Sequence, residues 1–125
     1  MNAPAPDPEV VAAARQHLNE RYATGVDRLL WEAEKRPMPD SDAMAAVITP
    51  GGRAEALDIA SALVLVQAAR LNLDHLEHDL FEGAHAAGIT AMAIAAILEL
   101  PDEAAARERR EWLAKRRALP GCPQP

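Results

Sequence analysis

His75, His78, Glu82 and His85 follow one another at steps of three, four and three residues. On a helix of about 100° per residue these positions share one narrow arc. Imidazoles and a carboxylate on one arc are the ligand types that hold a first-row metal ion. One straight helix does not surround an ion, because His75 to His85 spans about 15 Å. Only neighbouring pairs could share a metal, with further ligands from another element. The arc lies opposite Leu76 and Leu80, so the expectation is a polar face toward solvent or a partner. Metal binding and a pH-responsive contact are the alternatives. Other catalytic patterns are absent from the sequence. Ser41 and Ser61 have no His/Asp arrangement that identifies a triad. Gly51-Gly52-Arg53 lacks the spacing and lysine of a phosphate loop. No enzyme activity and no cofactor are expected.

The second set of reactive side chains is cationic. Arg107, Arg109, Arg110, Lys115, Arg116 and Arg117 crowd into the last stretch of a chain whose net charge is −6. Residues 1–52 carry 5 basic and 8 acidic groups, residues 53–100 carry 2 and 7, and residues 101–125 carry 6 and 4. An acidic surface argues against non-specific nucleic-acid binding by the whole molecule, whereas the terminal segment has the sign that attracts phosphate. Arg107 and Arg110 lie three apart on one helical face and could meet base edges or phosphates, and Lys115 to Arg117 could hold the backbone. The alternative is a solvated helix whose cations complement its dipole and pair with Glu103, Glu108 and Glu111.

The elements that position these groups read as helices. Half of the residues are apolar but only 3% are aromatic, so Ala, Leu, Val and Ile must build the core. Such composition favours helix, and no segment alternates as a strand does. Residues 1–8 are an Ala/Pro-rich flexible lead. Asp7-Pro8-Glu9 supplies a cap, a first-turn proline and a first-turn acid. Val11, Ala14, Leu18, Tyr22, Val26, Leu29 and Ala33 form one apolar stripe on a helix to about Arg36, with Gly25 as a bend or break. Pro37 and Pro39 end it. Ser41 and Asp42 can cap a short helix to about Ile48, and Thr49-Pro50-Gly51-Gly52 is the best internal boundary.

A long helix is expected from near Arg53, apolar nearly all round from Leu57 to Leu71, either central or a dimer interface. Asn72-Leu73-Asp74 either caps a new helix or lies within a continuing one. Leu73, Leu76, Leu80, Ala84 and Ala87 are expected to face inward. Gly88 suits a C-cap and Thr90 an N-cap. Trp31 and Trp112 are expected as core or interface anchors, Tyr22 as half-buried, and Met38, Met44 and Met92 as packing residues.

From Gly88 to Trp112 the pattern is a short helix, a four-residue turn and a longer Arg-rich helix. Ile94, Ala95, Leu98, Leu100 and Ala105 fall where a helix-turn-helix needs apolar or small residues. Ala95 would allow a close crossing, Leu98 and Leu100 would plug the corner, and Ala105 would pack the second helix on the first. With Ala87-Gly88-Ile89-Thr90 and Ile94-Ala95-Ala96-Ile97-Leu98, this segment resembles small actinobacterial helix-turn-helix proteins often labelled heat-shock transcriptional regulators. The resemblance covers about residues 57–117. It implies that the last helix reads DNA and that the longer helices form the body. Where that group carries Gly in the turn this chain has Glu99, so a helical or wider turn is expected. Where the group places polar or basic residues at the front of the second helix, this chain has Pro101, Asp102 and Glu103, whose carboxylates would face phosphates.

The fold expectation is therefore all-α: a single compact domain of about five to six helices with a helix-turn-helix near the C-terminus. Residues 9–48 form an N-terminal helical segment, 53–117 a helical core containing the motif at 90–117, and 118–125 a disordered tail with Cys122 as an inert thiol. No secretory signal is expected, and the run Ile59 to Val66 is too short to cross a bilayer. A cytoplasmic location follows. Two readings remain: a DNA-binding regulator or accessory factor, as a homodimer, and a protein-interaction module on a helix-turn-helix scaffold that has lost DNA binding, docking through its helical faces.

Overall fold

The structure is a computed structural model that describes residues 5–49 and 53–119. The described residues form helices α1 (Pro8–Tyr22), α2 (Gly25–Glu34), α3 (Asp40–Val47), α4 (Ala56–Ala86), α5 (Ala91–Ile97) and α6 (Glu103–Arg117), with no strand among them. The all-α expectation is met. The chain gathers into two units, one reaching Arg70 and the other running from Leu71, and α4 supplies helix to each. Residues 1–4 of the lead, 50–52 of the expected linker, and 120–125 of the tail with Cys122 lie outside the described residues.

In the first unit α1 starts as its sequence dictates. The Asp7 carboxylate accepts from the Glu9 N–H at 2.8 Å, and Pro8 occupies the first turn, where its missing donor costs nothing. Val11, Ala14 and Leu18 are buried, but the stripe does not continue as one helix. Ala23 and Thr24 are extended, and Gly25 enters α2 at φ +57°, a conformation that glycine adopts without Cβ strain. The break rotates the second half of the stripe outward: Val26 and Leu29 are exposed, and Trp31 is the residue of α2 that is buried.

Proline 39, not Ser41 or Asp42, occupies the cap position of α3, and Asp40 turns inward. There Asp40 meets Arg15 of α1 through two bonds of 2.9 and 2.8 Å. Beside it, buried Asn19 donates to the Arg15 carbonyl and accepts from the Met38 N–H. Every buried polar group of this corner thus has a partner, which is what makes its burial tolerable.

Helix α4 is continuous for 31 residues, so Asn72 and Asp74 sit inside it and cap nothing. It begins at Ala56 rather than near Arg53. Leu65, Ala68 and Leu71 are buried, while Leu57, Ile59 and Leu63 stand exposed instead of being covered on several sides. Over its full length α4 is long and apolar enough, by length and composition, to cross a bilayer, which the run Ile59 to Val66 alone is not.

In the second unit the inward face of α4 is the reverse of the one expected. Leu73, Leu76 and Leu80 are 62%, 60% and 72% exposed. Leu71, Asp74, His75 and Phe81 are the buried ones. Gly88 ends α4 at φ +81°, with the Ile89 N–H bonded to the Ala84 carbonyl and the Gly88 N–H to His85. That is the Schellman closure. Thr90 caps α5 through the Ala93 N–H at 3.1 Å.

The α5–α6 connection repeats the same closure without glycine. Leu100 N–H reaches Ala95 O at 2.8 Å, Glu99 N–H reaches Ala96 O, and Glu99 takes φ +56°. The turn is a tight left-handed one, not helical or wider. Asp102 then caps α6 by accepting from Ala105 N–H at 2.8 Å. Ala95 and Ala106 are buried, Ala105 is half-buried, and Leu98 is 42% exposed.

Candidate functional site

The cationic face of α6 is built against the acidic side of α4. Asp74, Glu77, Asp79 and Glu82 lie on α4, and four of the five arginines of α6 meet these carboxylates. Arg109 donates from Nε and a terminal nitrogen to the two oxygens of Glu77, at 2.7 and 3.0 Å, and lies 3.9 Å from Asp74. Arg110 grips Glu82 in the same two-pronged way, at 3.1 and 2.8 Å. Arg116 is buried and donates to Asp74 at 3.2 Å. Arg117 reaches Asp79 at 3.3 Å. Arg107 pairs with Glu103 on its own helix, and Lys115 lies exposed.

This pairing explains the reversed face of α4. A carboxylate beside a guanidinium gains charge-assisted, bidentate hydrogen bonds that no leucine can replace. Turning Leu73, Leu76 and Leu80 inward would have stranded the α6 cations against an apolar wall. Trp112 completes the arrangement, with the Arg109 and Arg116 guanidiniums 4.8 and 5.5 Å from its ring centroid. Of the carboxylates expected to pair with α6, Glu103 does so; the other partners come from α4.

The electrostatics follow the geometry. The hydrogen bond to Arg110 holds the Glu82 carboxyl below its ordinary pKa, against the opposing effect of burial. The bond to His78, with Arg117 beyond it, does the same for Asp79. Arg109 and Arg110 are pushed up in turn by Glu77 and Glu82. In each pair the guanidinium favours the ionised form of its carboxylate partner.

Of the histidine arc, His78 and Glu82 stay together, with His78 Nε2 3.8 Å from Glu82 Oε1, and the other members have separate surroundings. His75 is buried, and its Nε2 lies 3.1 Å from the Arg116 carbonyl oxygen, so that nitrogen carries the proton and donates. It does not face solvent. His78 bonds Asp79 at 3.2 Å, Glu82 is held by Arg110, and His85 is exposed near the end of α4. Among the described residues no group of three or more potential ligands converges on a metal position.

A second polar centre was not singled out by the sequence. Asp58, 1% exposed in the first turn of α4, accepts from His17 Nε2 at 2.6 Å, Tyr22 Oη at 2.8 Å and the Glu55 N–H at 2.9 Å. Arg21 Nε lies 2.7 Å away. Burial would raise its pKa, but these donors outweigh it and hold the carboxyl well below the usual carboxylate range. With its oxygens committed to four donors, Asp58 is a clamp between α1 and α4 of the first unit and not a base. Its signal was present in His17 and Arg21, four residues apart on α1 and flanking the apolar stripe at Leu18 and Tyr22.

Two apolar grooves open beside these centres. In the first unit Met44, Val47, Ile48, Ile59, Leu63 and Val66 line a groove of about 430 Å³ between α3 and α4. In the second, Leu80, Phe81, Ile94, Ile97 and Leu98 line one of about 210 Å³. The chain matches no protein-family model, no curated protein and no solved structure.

Proposed function

We propose that this protein is a cytoplasmic protein-interaction module on a helix-turn-helix scaffold, docking on a helical partner through the open apolar faces of its helices. The observation that carries the reading is the division of labour on α4 in the second unit. Its carboxylates hold Arg109, Arg110, Arg116 and Arg117 of α6, and Leu73, Leu76 and Leu80 are left standing in water. Contiguous exposed apolar surface on a soluble protein marks a surface meant to be covered. A guanidinium already bound twice to a carboxylate has its charge balanced there, so a phosphate gains only its remaining N–H groups and little net attraction. The same helix carries Asp58, Asp74, Glu77 and Glu82 in ion pairs within the units, which favours a protein over lipid as the covering phase.

The test is association. The purified chain, or the chain co-expressed with its partner, is expected to migrate as a complex in sedimentation velocity. Leu76→Lys with Leu80→Lys is expected to abolish that complex with helical circular dichroism unchanged. A wild-type chain that stays monomeric and captures no protein, yet is retained on DNA at low salt, sinks the reading.

A DNA-binding regulator is the second reading. The α5–turn–α6 layout favours it, with small buried residues Ala95 and Ala106 on the two helices, the left-handed turn residue Glu99, and Lys115 open on the last turn. On that reading DNA retention weakens with salt and with Arg107→Ala plus Arg110→Ala.

A further inference from the structure

We infer that the cleft bounded by the end of α4, the start of α5 and the first half of α6 is a binding site for a small organic carboxylate with a short apolar body. The inference is independent of the reading above. The cleft measures about 270 Å³, near the small end of ligand sites, which begin at roughly 300 Å³. Phe81, Ile94 and Ala106 give it an apolar floor, with Phe81 and Ala106 buried. Its polar lining is rich in donors. Arg110 spends Nε and one terminal nitrogen on Glu82, which fixes the guanidinium and leaves the other terminal nitrogen over. Arg107 spends one terminal nitrogen on Glu103. Thr90 accepts from Ala93 N–H through its oxygen, so its hydroxyl proton remains to be given. His85 adds an imidazole.

The cleft lining itself holds one carboxylate, Glu103, while Glu82 binds Arg110 from beside it, and the Glu103 bond to Arg107 is an exposed pair four residues apart on one helix. Such pairs contribute little and exchange readily. A ligand carboxylate can replace Glu103 on Arg107 and gain the second guanidinium and the threonine, while its carbon body displaces water from the floor. Inorganic phosphate satisfies the donors but not the floor; a neutral amide satisfies the floor but not the cations.

The experiment is a titration of the full ¹⁵N-labelled chain with benzoate and hexanoate, with benzamide and inorganic phosphate as controls. Saturable shifts at Thr90, Ala91, Ala106 and Arg107 are expected with the carboxylates and not with the controls. Arg107→Gln should weaken binding about tenfold, as loss of one charge-assisted hydrogen bond does. Glu103→Gln should tighten it, because the internal competitor is gone. Both positions are exposed or half-exposed, and unchanged helical circular dichroism shows that each variant folds. The inference is overturned by the absence of saturable shifts, by benzamide or phosphate binding as well as benzoate, or by unchanged affinity in Arg107→Gln.

Discussion

Arg109 of α6 holds Glu77 of α4 by two parallel hydrogen bonds, 2.7 and 3.0 Å long, with its guanidinium 4.8 Å from the centroid of the Trp112 ring. A planar cation matched to a planar anion on one side and an aromatic face on another has little reason to leave. The relationship sets the character of the second unit. Its positive charge works inward, on a neighbour 32 residues away in the chain, and its leucines work outward.

Removing that charge should therefore act on stability more than on nucleic acid. Arg109→Ala with Arg110→Ala is expected to lower the melting temperature and to leave retention on duplex DNA at low salt unaltered. A fluorescence-anisotropy titration reads the second effect directly. A large loss of DNA affinity in this double variant would favour the regulator over the interaction module.

The turn before α6 stores strain that a single substitution can release. Glu99 sits at φ +56°, where a side chain is disfavoured and glycine is not. Glu99→Gly should stabilise the protein by about 1 kcal/mol, and Gly88→Ala, at φ +81°, should destabilise it by about the same amount. Urea unfolding at neutral pH measures both, and a destabilised Glu99→Gly would refute the left-handed turn.

Acid should unfold the chain through its paired carboxylates. Asp58, Asp79 and Glu82 all have folded-state pKa values below their unfolded ones. Their contribution is present above the unfolded values of about 4, and is lost as the pH falls through the folded ones. Thermal melts between neutral and strongly acid pH should show the midpoint falling below about pH 4. Asp58→Asn should lower the neutral-pH midpoint and flatten that dependence. An acid-insensitive wild type would contradict the ion-pair assignment.

Core truncation gives the reference scale. Leu18 in the first unit and Leu113 in the second are both 0% exposed. Each Leu→Ala change should cost about 2–5 kcal/mol through lost burial and the cavity left behind. Leu76→Ala, on the open face, should cost less than about 1 kcal/mol in the isolated chain. Chemical denaturation of the three variants checks the assignment of inside and outside on this part of the fold.

The local grammar of this protein was readable from the chain. Asp7 and Thr90 cap because a short side-chain acceptor before a helix satisfies an orphan N–H, and Gly88 ends α4 because it reaches positive φ without strain. Each of these depends on residues within a few positions of one another. The same is true of the helical class, which follows from Ala and Leu composition, and of Gly25 as a candidate break.

Orientation was decided at long range. Along the second half of α4, Leu73, Leu76 and Leu80 recur at the helical period, and so do Asp74, Glu77 and Phe81. Hydrophobicity alone favours the leucines as the inner face. What overrides it is the row of arginines on α6, 28 to 42 residues away, whose bidentate bonds need those carboxylates facing them. The Asp58 clamp has the same origin, joining His17 to a residue 41 positions distant. Periodicity tells a helix that it has two faces; only the helix packed against it determines which one is buried.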